Sequence, residues 1–431
     1  MNMKQKKVVI TSAVRTAIGS FRGSLKDIPA HELGSTVVKE SIKKSNLQLD
    51  EVGELIMGQV LTGATGQNPA RQAAIHCGLP IEKTAYVINQ VCGSGLRSVA
   101  AGYQAIISND SNIIIAGGQE SMSQAPHAIH FKNGKKLEEN NLIDTMIKDG
   151  LWDAFNGYHM GVTAENVASK WKISRKDQDN FALTSQNKAE QAQKEGKFKD
   201  EIVSVVLKDK NTKNSFEIDE HPRSGMNIQK LEKLKPSFKK DGTVTPGNAS
   251  GINDGAAALV LMSEKEAKSR NLKPLAEIVS WATCGVDPSL MGSGPIPASK
   301  KALAKAGWKI EELDLIDLTT RMYVEPKLIL DSEVCEAHRD KHKLAGDDAV
   351  RNSGIDRDVL SSNPKFAQYI QEDLDIVVPT KKSPRTGKMI PALGKTDSAY
   401  IQMCQMYPQY KHIWDGRIAV KSRIEETRAE R

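Results

Sequence analysis

No two of the chain's five cysteines form a Cys-x-x-Cys pair; Cys77, Cys92, Cys284, Cys335 and Cys404 are scattered singly. That spacing argues against a disulfide framework and against a zinc site, so no metal is expected and a reducing compartment fits. No apolar core follows the polar, lysine-rich start Met1–Lys7, which argues against a secretory leader. No stretch approaches the roughly 18 consecutive apolar residues of a membrane span. A strong excess of one charge is missing too. A net charge of +7 over 431 residues is modest. It does not by itself imply nucleic acid, though it suits a polyanionic ligand such as a phosphorylated cofactor. The expectation is a soluble cytoplasmic protein of two or three domains, or one large double domain.

What is present is a strand–helix alternation over residues 7–118. Val8-Val9-Ile10-Thr11 is a β-branched run, His31 to Lys44 has helical spacing, and Leu55-Ile56-Met57 begins another strand. Asn68 reads as an N-cap with Pro69 at the first helical position. Ala85 to Ile88 leads to Cys92, Leu96 to Ile107 is a small-residue helix, and Asn112 to Ala116 is a buried strand. This alternation predicts an α/β fold with a parallel or mixed sheet covered on both faces. Residues 119–245 are polar, lysine-rich and poor in strand runs, and read as an excursion from the sheet, with Ser174 to Glu195 an exposed amphipathic helix. The sheet resumes at Ala256 to Met262, followed by the capping pattern Ser263-x-x-Glu266. A further unit has a strand at Ala276 to Ser280, a helix at Ala298 to Ala306 and a strand at Leu313 to Leu318.

Cys92 sits in Asn89-Gln90-Val91-Cys92-Gly93-Ser94-Gly95, between strand and helix. The glycines let the backbone turn sharply, and a helix N-terminus favours a thiolate. On that context alone, a nucleophile and a buried structural thiol both remain open. Four more stretches accompany it: Gly66–Ala73, Gly117–Ser123, Gly157–Asn166 and Gly247–Ala257. Together the five motifs resemble the thiolase family, in its acetyl-CoA acetyltransferase branch, over residues 6–317. A ketosynthase reading in the same superfamily fits less well, because Asn89–Gly95 and Gly247–Ala257 follow the thiolase pattern.

The resemblance implies two similar αβα halves packed in layers, with a loop domain inserted in the first. Residues 1–120 plus 246–270 would form the first half, 121–245 the coenzyme A-binding loop domain, and 271–317 the start of the second half. It implies that Cys92 takes an acyl group from acyl-CoA as a thioester, for Claisen condensation or thiolysis. Coenzyme A thioester is then substrate, and no cofactor is implied. Leu151, His159 and Met160 would line the pantetheine tunnel, Arg223 would lie near the adenine, and Ser250 would contact the pantetheine amide. Pro246 replaces the small residue often seen at its turn. Taken alone, His159 reads as a core or surface histidine; the motif makes it a ligand contact. The loop-domain lysines could attract phosphates or form a solvated face. A dimer or tetramer is implied.

The resemblance stops near residue 318. The family continues with an Asn-Glu-Ala-Phe segment, where this chain has Asp317-Leu318-Thr319-Thr320-Arg321. It then has a Gly-His-Pro loop, but none of His338, His342 and His412 stands between Gly and Pro. It ends with a Cys-x-Gly-Gly-Gly turn, which neither Cys335 nor Cys404 can begin. The expectation is a second half truncated and replaced by a mainly helical and loop tail, 318–431, with condensation lost. That tail resembles part of a phage-type family A DNA polymerase, through Leu318–Pro326, Ser362–Ala367, Lys382–Lys388, Lys395–Asp397 and Ala419–Arg428. The resemblance makes nucleic acid a possible partner and the whole chain a chimera of two genes. The basic loop Thr380 to Lys388 could touch a DNA backbone or simply be solvated.

Overall fold

The computed structural model describes residues 6–130, 142–207, 215–313, 363–374, 376–382 and 389–391, together with Tyr400, Met403, Cys404, Met406, Ile413 and Trp414. Two compact units are found, one spanning Met1–Gly307 and the other holding the described residues from Trp308 onward.

The first unit is built on a mixed sheet. Its strands are β1 (Val8–Thr16), β2 (Glu54–Gly58), β3 (Thr84–Ile88), β4 (Ile113–Ser121) and β5 (Asn253–Ser263). Their order is β1-β5-β4-β2-β3. β5 runs antiparallel to both β1 and β4, while β2 is parallel to β4 and β3. Short pieces lengthen the sheet: Gly19–Ser20 pairs with β5, and Ile202–Val203 and Ala276–Glu277 pair with β1.

Alternation along the strands divides the core in two. Leu55 and Met57, Ile113 and Ile115, and Ala258 and Val260 point to one face. Helices α1 (Ala30–Lys44) and α2 (Pro69–Cys77) cover that face with Leu33, Val37 and Ala73. Ile56, Ile114 and Leu259 point to the other, against Val99 and Ile106 of α3 (Ser94–Ser108). β1 serves both faces with a change of phase. The register slips between Ile10 and Ser12, so Thr11 is an extra residue. Val9 and Val14 therefore share a face, although strict alternation would oppose them.

Local signals act as the sequence suggests. The Asn68 side chain accepts from the Arg71 N–H at 3.1 Å and Pro69 opens α2. Ser263 likewise receives the Glu266 N–H at 3.1 Å. In the excursion lie α4 (Met160–Lys170) and α5 (Arg175–Lys194), the latter capped by Ser174. The stretch 119–245 holds only two-residue strands beyond the end of β4: it supplies Ile202–Val203 to the edge of β1 and makes short hairpins of its own. One expectation needs correction. The expected strand at Ala276 to Ser280 is only Ala276–Glu277, and it pairs with Ile10 and Val9 of β1. The strand expected at Leu313 to Leu318 lies outside the described residues beyond Leu313.

The second unit has a small core of its own. Phe366 and Ile370, from the helix Asn363–Asp373, are fully buried with Tyr400 and Trp414. Trp414 meets Phe366 and Tyr400 edge-on, each at a centroid distance of 6.4 Å. Thr380–Lys382 and Met389–Pro391 pair as an antiparallel hairpin. Of the stretches that resemble a polymerase, only residues 363–367 and Lys382 are among those described; His338, His342, His412 and Cys335 are not.

Candidate active site

Cys92 lies on the turn between β3 and α3 and is half-buried. The turn is strained immediately before it, where Val91 has φ of 48°. A β-branched residue in the left-handed region costs on the order of 1–3 kcal/mol and persists only where neighbours hold it. Here the Val91 N–H donates to Asn89 Oδ1 at 2.8 Å. Ser94 closes the loop: its hydroxyl accepts from the Gln90 N–H at 2.9 Å and donates to the Val91 carbonyl. Gly93 N–H returns to the Gln90 carbonyl at 3.0 Å. The thiol thus sits on a rigid corner two residues before the first turn of α3.

That corner rests on the ends of two strands. A Cβ at Gly58 would stand 2.4 Å from the Ser94 carbonyl carbon, so only glycine lets α3 begin there. A Cβ at Gly117 would fall 2.0 Å from the Ala257 carbonyl oxygen. The Ser98 hydroxyl reaches the Gly117 carbonyl at 2.7 Å, tying α3 to β4. Gly118 and Ala257 pair across β4 and β5, so the third and fifth motifs of the sequence are partners in the sheet.

Buried carboxylates organise the loops beyond the strand ends. Glu120 accepts from the Val60 N–H at 2.8 Å and the Leu61 N–H at 3.3 Å. Asp254 receives the Ser123 N–H at 2.9 Å and its hydroxyl at 2.6 Å. Burial pushes both carboxyls upward, Glu120 to about 7, outweighing the backbone donors that favour its charged form; the neighbouring Asp254 charge adds to the shift. Folded protein therefore keeps a proton on Glu120 between roughly pH 4.5 and 7, where an unfolded chain has released it. That stabilisation is fully present below about pH 4.5 and is lost as pH rises through about 7. We expect wild-type stability to decline across this window, by about 3 kcal/mol at ~1.4 kcal/mol per pKa unit. Glu120→Gln should flatten the decline. Urea unfolding at several pH values checks this, and parallel profiles for the two proteins would refute it.

In the excursion, Leu151 ends the turn Met146–Leu151, and its neighbour Trp152 pairs with His159 across a two-residue hairpin. That pairing sets Leu151 beside His159 and Met160. His159 caps α4: its Nδ1 accepts the Gly161 N–H at 3.0 Å, which leaves the neutral ring's proton on Nε2. Its ring stacks on Phe238 at 4.8 Å, and burial lowers its pKa. Ile252 and Leu151 rest against the same apolar cluster of Val60, Leu61, Met122 and Met146.

Arg223, Pro246 and Ser250 are exposed. The Arg223 N–H is held by Gln186 of α5 at 2.9 Å. The loop carrying Pro246 and Ser250 is held by α4 and α5. Glu165 of α4 accepts the Thr243 and Val244 N–H groups at 2.8 Å, and Asp179 of α5 accepts from Asn248 at 2.9 Å. His221, two residues before Arg223, faces Asn253, with ring nitrogen and amide 3.4 Å apart. The structure therefore gathers Leu151, His159 and Met160 in one group and Arg223 with the 246–253 loop in another, while Cys92 is carried by the sheet. Among the described residues no cluster of His, Cys, Asp or Glu could hold a metal ion. No helix among them is long and apolar enough to cross a membrane.

The N-terminal domain model of the thiolases matches residues 8–265, more than half of the chain. The chain belongs to the thiolase family. The C-terminal domain model of that family matches residues 272–325. The chain is 58% identical over 311 residues to an acetyl-CoA acetyltransferase of Paracoccus denitrificans, covering 72% of this chain and 80% of that one. A cytosolic acetyl-CoA acetyltransferase of Rattus norvegicus is 52% identical over 320 residues, covering 74% and 81%. The crystal structure of the Bacillus anthracis acetyl-CoA acetyltransferase superposes with a TM-score of 0.71 at 40% identity, covering 77% of this chain and 84% of that one. The thiolase-like α/β fold is thus common to sequence, topology and structural neighbour.

Sequence reading missed the parts of this thiolase site that act through geometry. Val91 gives no sign of a positive φ, since valine usually avoids it. Ser94 and Asn89 look like ordinary turn residues. Glu120 and Glu165 received no role of their own from the motifs that contain them, yet both are buried. A glutamate shortly after the apolar run Ile113–Ala116, at the end of β4, is the signal that could have marked Glu120.

Proposed function

We propose that this chain is a thiolase-type acyltransferase whose Cys92 accepts an acyl group from acetyl-CoA. The observation that carries the reading is the strained, hydrogen-bonded corner that presents Cys92 before the N-terminus of a fifteen-residue helix. A helix start favours the developing thiolate. The relatives at 52–58% identity named as acetyl-CoA acetyltransferases support the substrate class. In the step, the thiolate attacks the thioester carbonyl, the bond from carbon to the coenzyme A sulfur breaks, and coenzyme A leaves and takes up a proton. Leu151, His159 and Met160 are assigned to the pantetheine, Ser250 to its amide with Pro246 at the same turn, and Arg223 to the adenine side. The domain limits 1–120 with 246–270, 121–245, 271–317 and 318–431 belong to the same reading, as do a cytoplasmic location and a dimer or tetramer. Condensation is lost, because the Gly-His-Pro and Cys-x-Gly-Gly-Gly segments of the family have no counterpart after residue 317. Labelled acetyl-CoA followed by mass spectrometry of Cys92 tests the proposal.

A second reading concerns the tail. Its described residues have an aromatic core of their own and a hairpin with Lys381 and Lys382 on one strand. Together with the resemblance to a family A polymerase, this favours a nucleic-acid-binding segment joined to a truncated thiolase. A DNA gel shift that weakens with salt and survives deletion of residues 1–317 is the expected result; no shift at low salt ends the reading.

A further inference from the structure

Glu120 has no place in the assignments above, yet it sits where the sheet meets the assigned pantetheine wall. It is 1% exposed, at the end of β4. Its two carboxylate oxygens are divided between two consecutive amides, Oε2 on Val60 and Oε1 on Leu61. Those residues have few other ways to stay put, because they follow the last residue of β2. The remaining ties are the Gln59 N–H to Ile88 and the Gln59 side chain to the Leu61 carbonyl, at 3.1 Å each. Gln119 steadies Gln59 in turn, at 2.9 Å.

What Val60 and Leu61 do is visible in their packing. Both are buried, and with Met122 and Met146 they form the cluster on which Leu151 and Ile252 rest. A Cβ added to Gly150, next to Leu151, would already touch a Leu61 methyl at 3.4 Å. Leu61 thus lies directly beneath the turn that carries Leu151. From this chain of contacts we infer that Glu120 is a positioning residue for acyl-CoA: by holding the amides of Val60 and Leu61 it sets the floor under Leu151. The inference rests on the acyl-CoA reading above. It adds that the coenzyme A wall is held from the sheet by one buried carboxylate, rather than by the excursion alone.

The two oxygens make the variants informative. Glu120→Ala strands two buried amides. Glu120→Gln keeps the volume but turns an NH₂ donor toward one amide N–H, so only one bond survives. Full-length proteins are titrated calorimetrically with coenzyme A, which binds without acylating Cys92. Wild type should bind; Glu120→Gln should weaken the Kd about threefold and Glu120→Ala about tenfold. Leu151→Ala should cost little more on the Glu120→Ala background than its partner has already lost. Hydrogen–deuterium exchange over residues 59–63 and 146–152 should quicken in the same order. A purely structural role would lower the melting temperature and leave the Kd of the folded variants at the wild-type value, and that result overturns the inference. Should Glu120→Ala fail to fold, Glu120→Gln decides alone. Absence of coenzyme A binding by wild type would instead overturn the acyl-CoA reading, and this inference with it.

Discussion

Mixed with acetyl-CoA labelled in its acetyl group, the full-length chain should acquire one acetyl group on Cys92, release coenzyme A, and form no acetoacetyl-CoA. The first half follows from the corner at Val91–Ser94, which keeps the thiol half-buried before the start of α3. Cys92→Ala should remove the adduct completely, whereas Cys77→Ala should not affect it. Cys77 is buried in the α2 core and its thiol is pushed up by that burial, so it stays protonated. The second half follows from what the chain after residue 317 does not spell. A positioned base or acid typically contributes about 10²- to 10⁴-fold, and each oxyanion donor about 2.7–4 kcal/mol. Without both, α-proton abstraction from a thioester at neutral pH falls below any practical rate. Steady formation of acetoacetyl-CoA would sink this reading of the tail; an unlabelled Cys92 would sink the acyl-transfer proposal itself.

The largest stability effect is expected far from Cys92, at Arg15. This side chain is buried at the end of β1, with two parallel bonds to Asp219 at 2.7 and 3.0 Å and a third to Glu201 at 2.7 Å. Asp219 also receives the Ile18 N–H at 2.7 Å. Burial opposes the charge on Arg15, but the two carboxylates outweigh it and raise its pKa. Asp219→Ala removes one partner and leaves a charge with half of its compensation. Breaking a buried pair in this way costs about 3–5 kcal/mol, a large share of the roughly 5–15 kcal/mol that stabilises a typical domain. The exposed pair of Lys7 and Glu277 has the same 2.7 Å separation. Glu277→Ala should nevertheless cost far less, because water already solvates both ends. Urea unfolding of the two variants side by side checks the contrast. Equal losses would show that burial does not govern these pairs.

Arg15 also shows why part of the fold is hidden in the sequence. The β-branched run Val8-Val9-Ile10-Thr11 suggests a strand of four residues, and β1 has nine. The arginine reads as a strand's end, because a lone charge should face water. It is tolerated inside only because Glu201 and Asp219, 186 and 204 residues later, come to meet it. The edge piece Ile202–Val203 is equally hidden, since two residues leave no period to read. The exposed helix α5 lies at the other extreme. Its cap, length and polarity are all local properties, and the expected Ser174 to Glu195 span matches Arg175–Lys194 with its two caps.

The candidate site divides along the same line. The position of Cys92 was legible because it rests on a local pattern: strand, glycine turn, helix. So were the five motifs, whose glycines answer to close approaches such as Gly117 on Ala257. Glu120 and Glu165 were not legible, because a carboxylate that bonds backbone amides has the same letter as one that faces solvent. Their meaning arises only when β4 ends beside the loop after β2, and when α4 lies under residues 243–244.

By itself, then, the sequence of this thiolase determined the order of strands and helices and the placing of Cys92 on a turn between strand and helix, since each depends on residues close together in the chain; the C-terminal family match runs to residue 325, past the expected stop near 318. Only the tertiary structure decided that Val91 is strained, that Arg15 ties the excursion to the sheet, and that Glu120 supports Leu151. Those are long-range balances between burial and hydrogen bonding, and they exist only once distant segments share a dry interior.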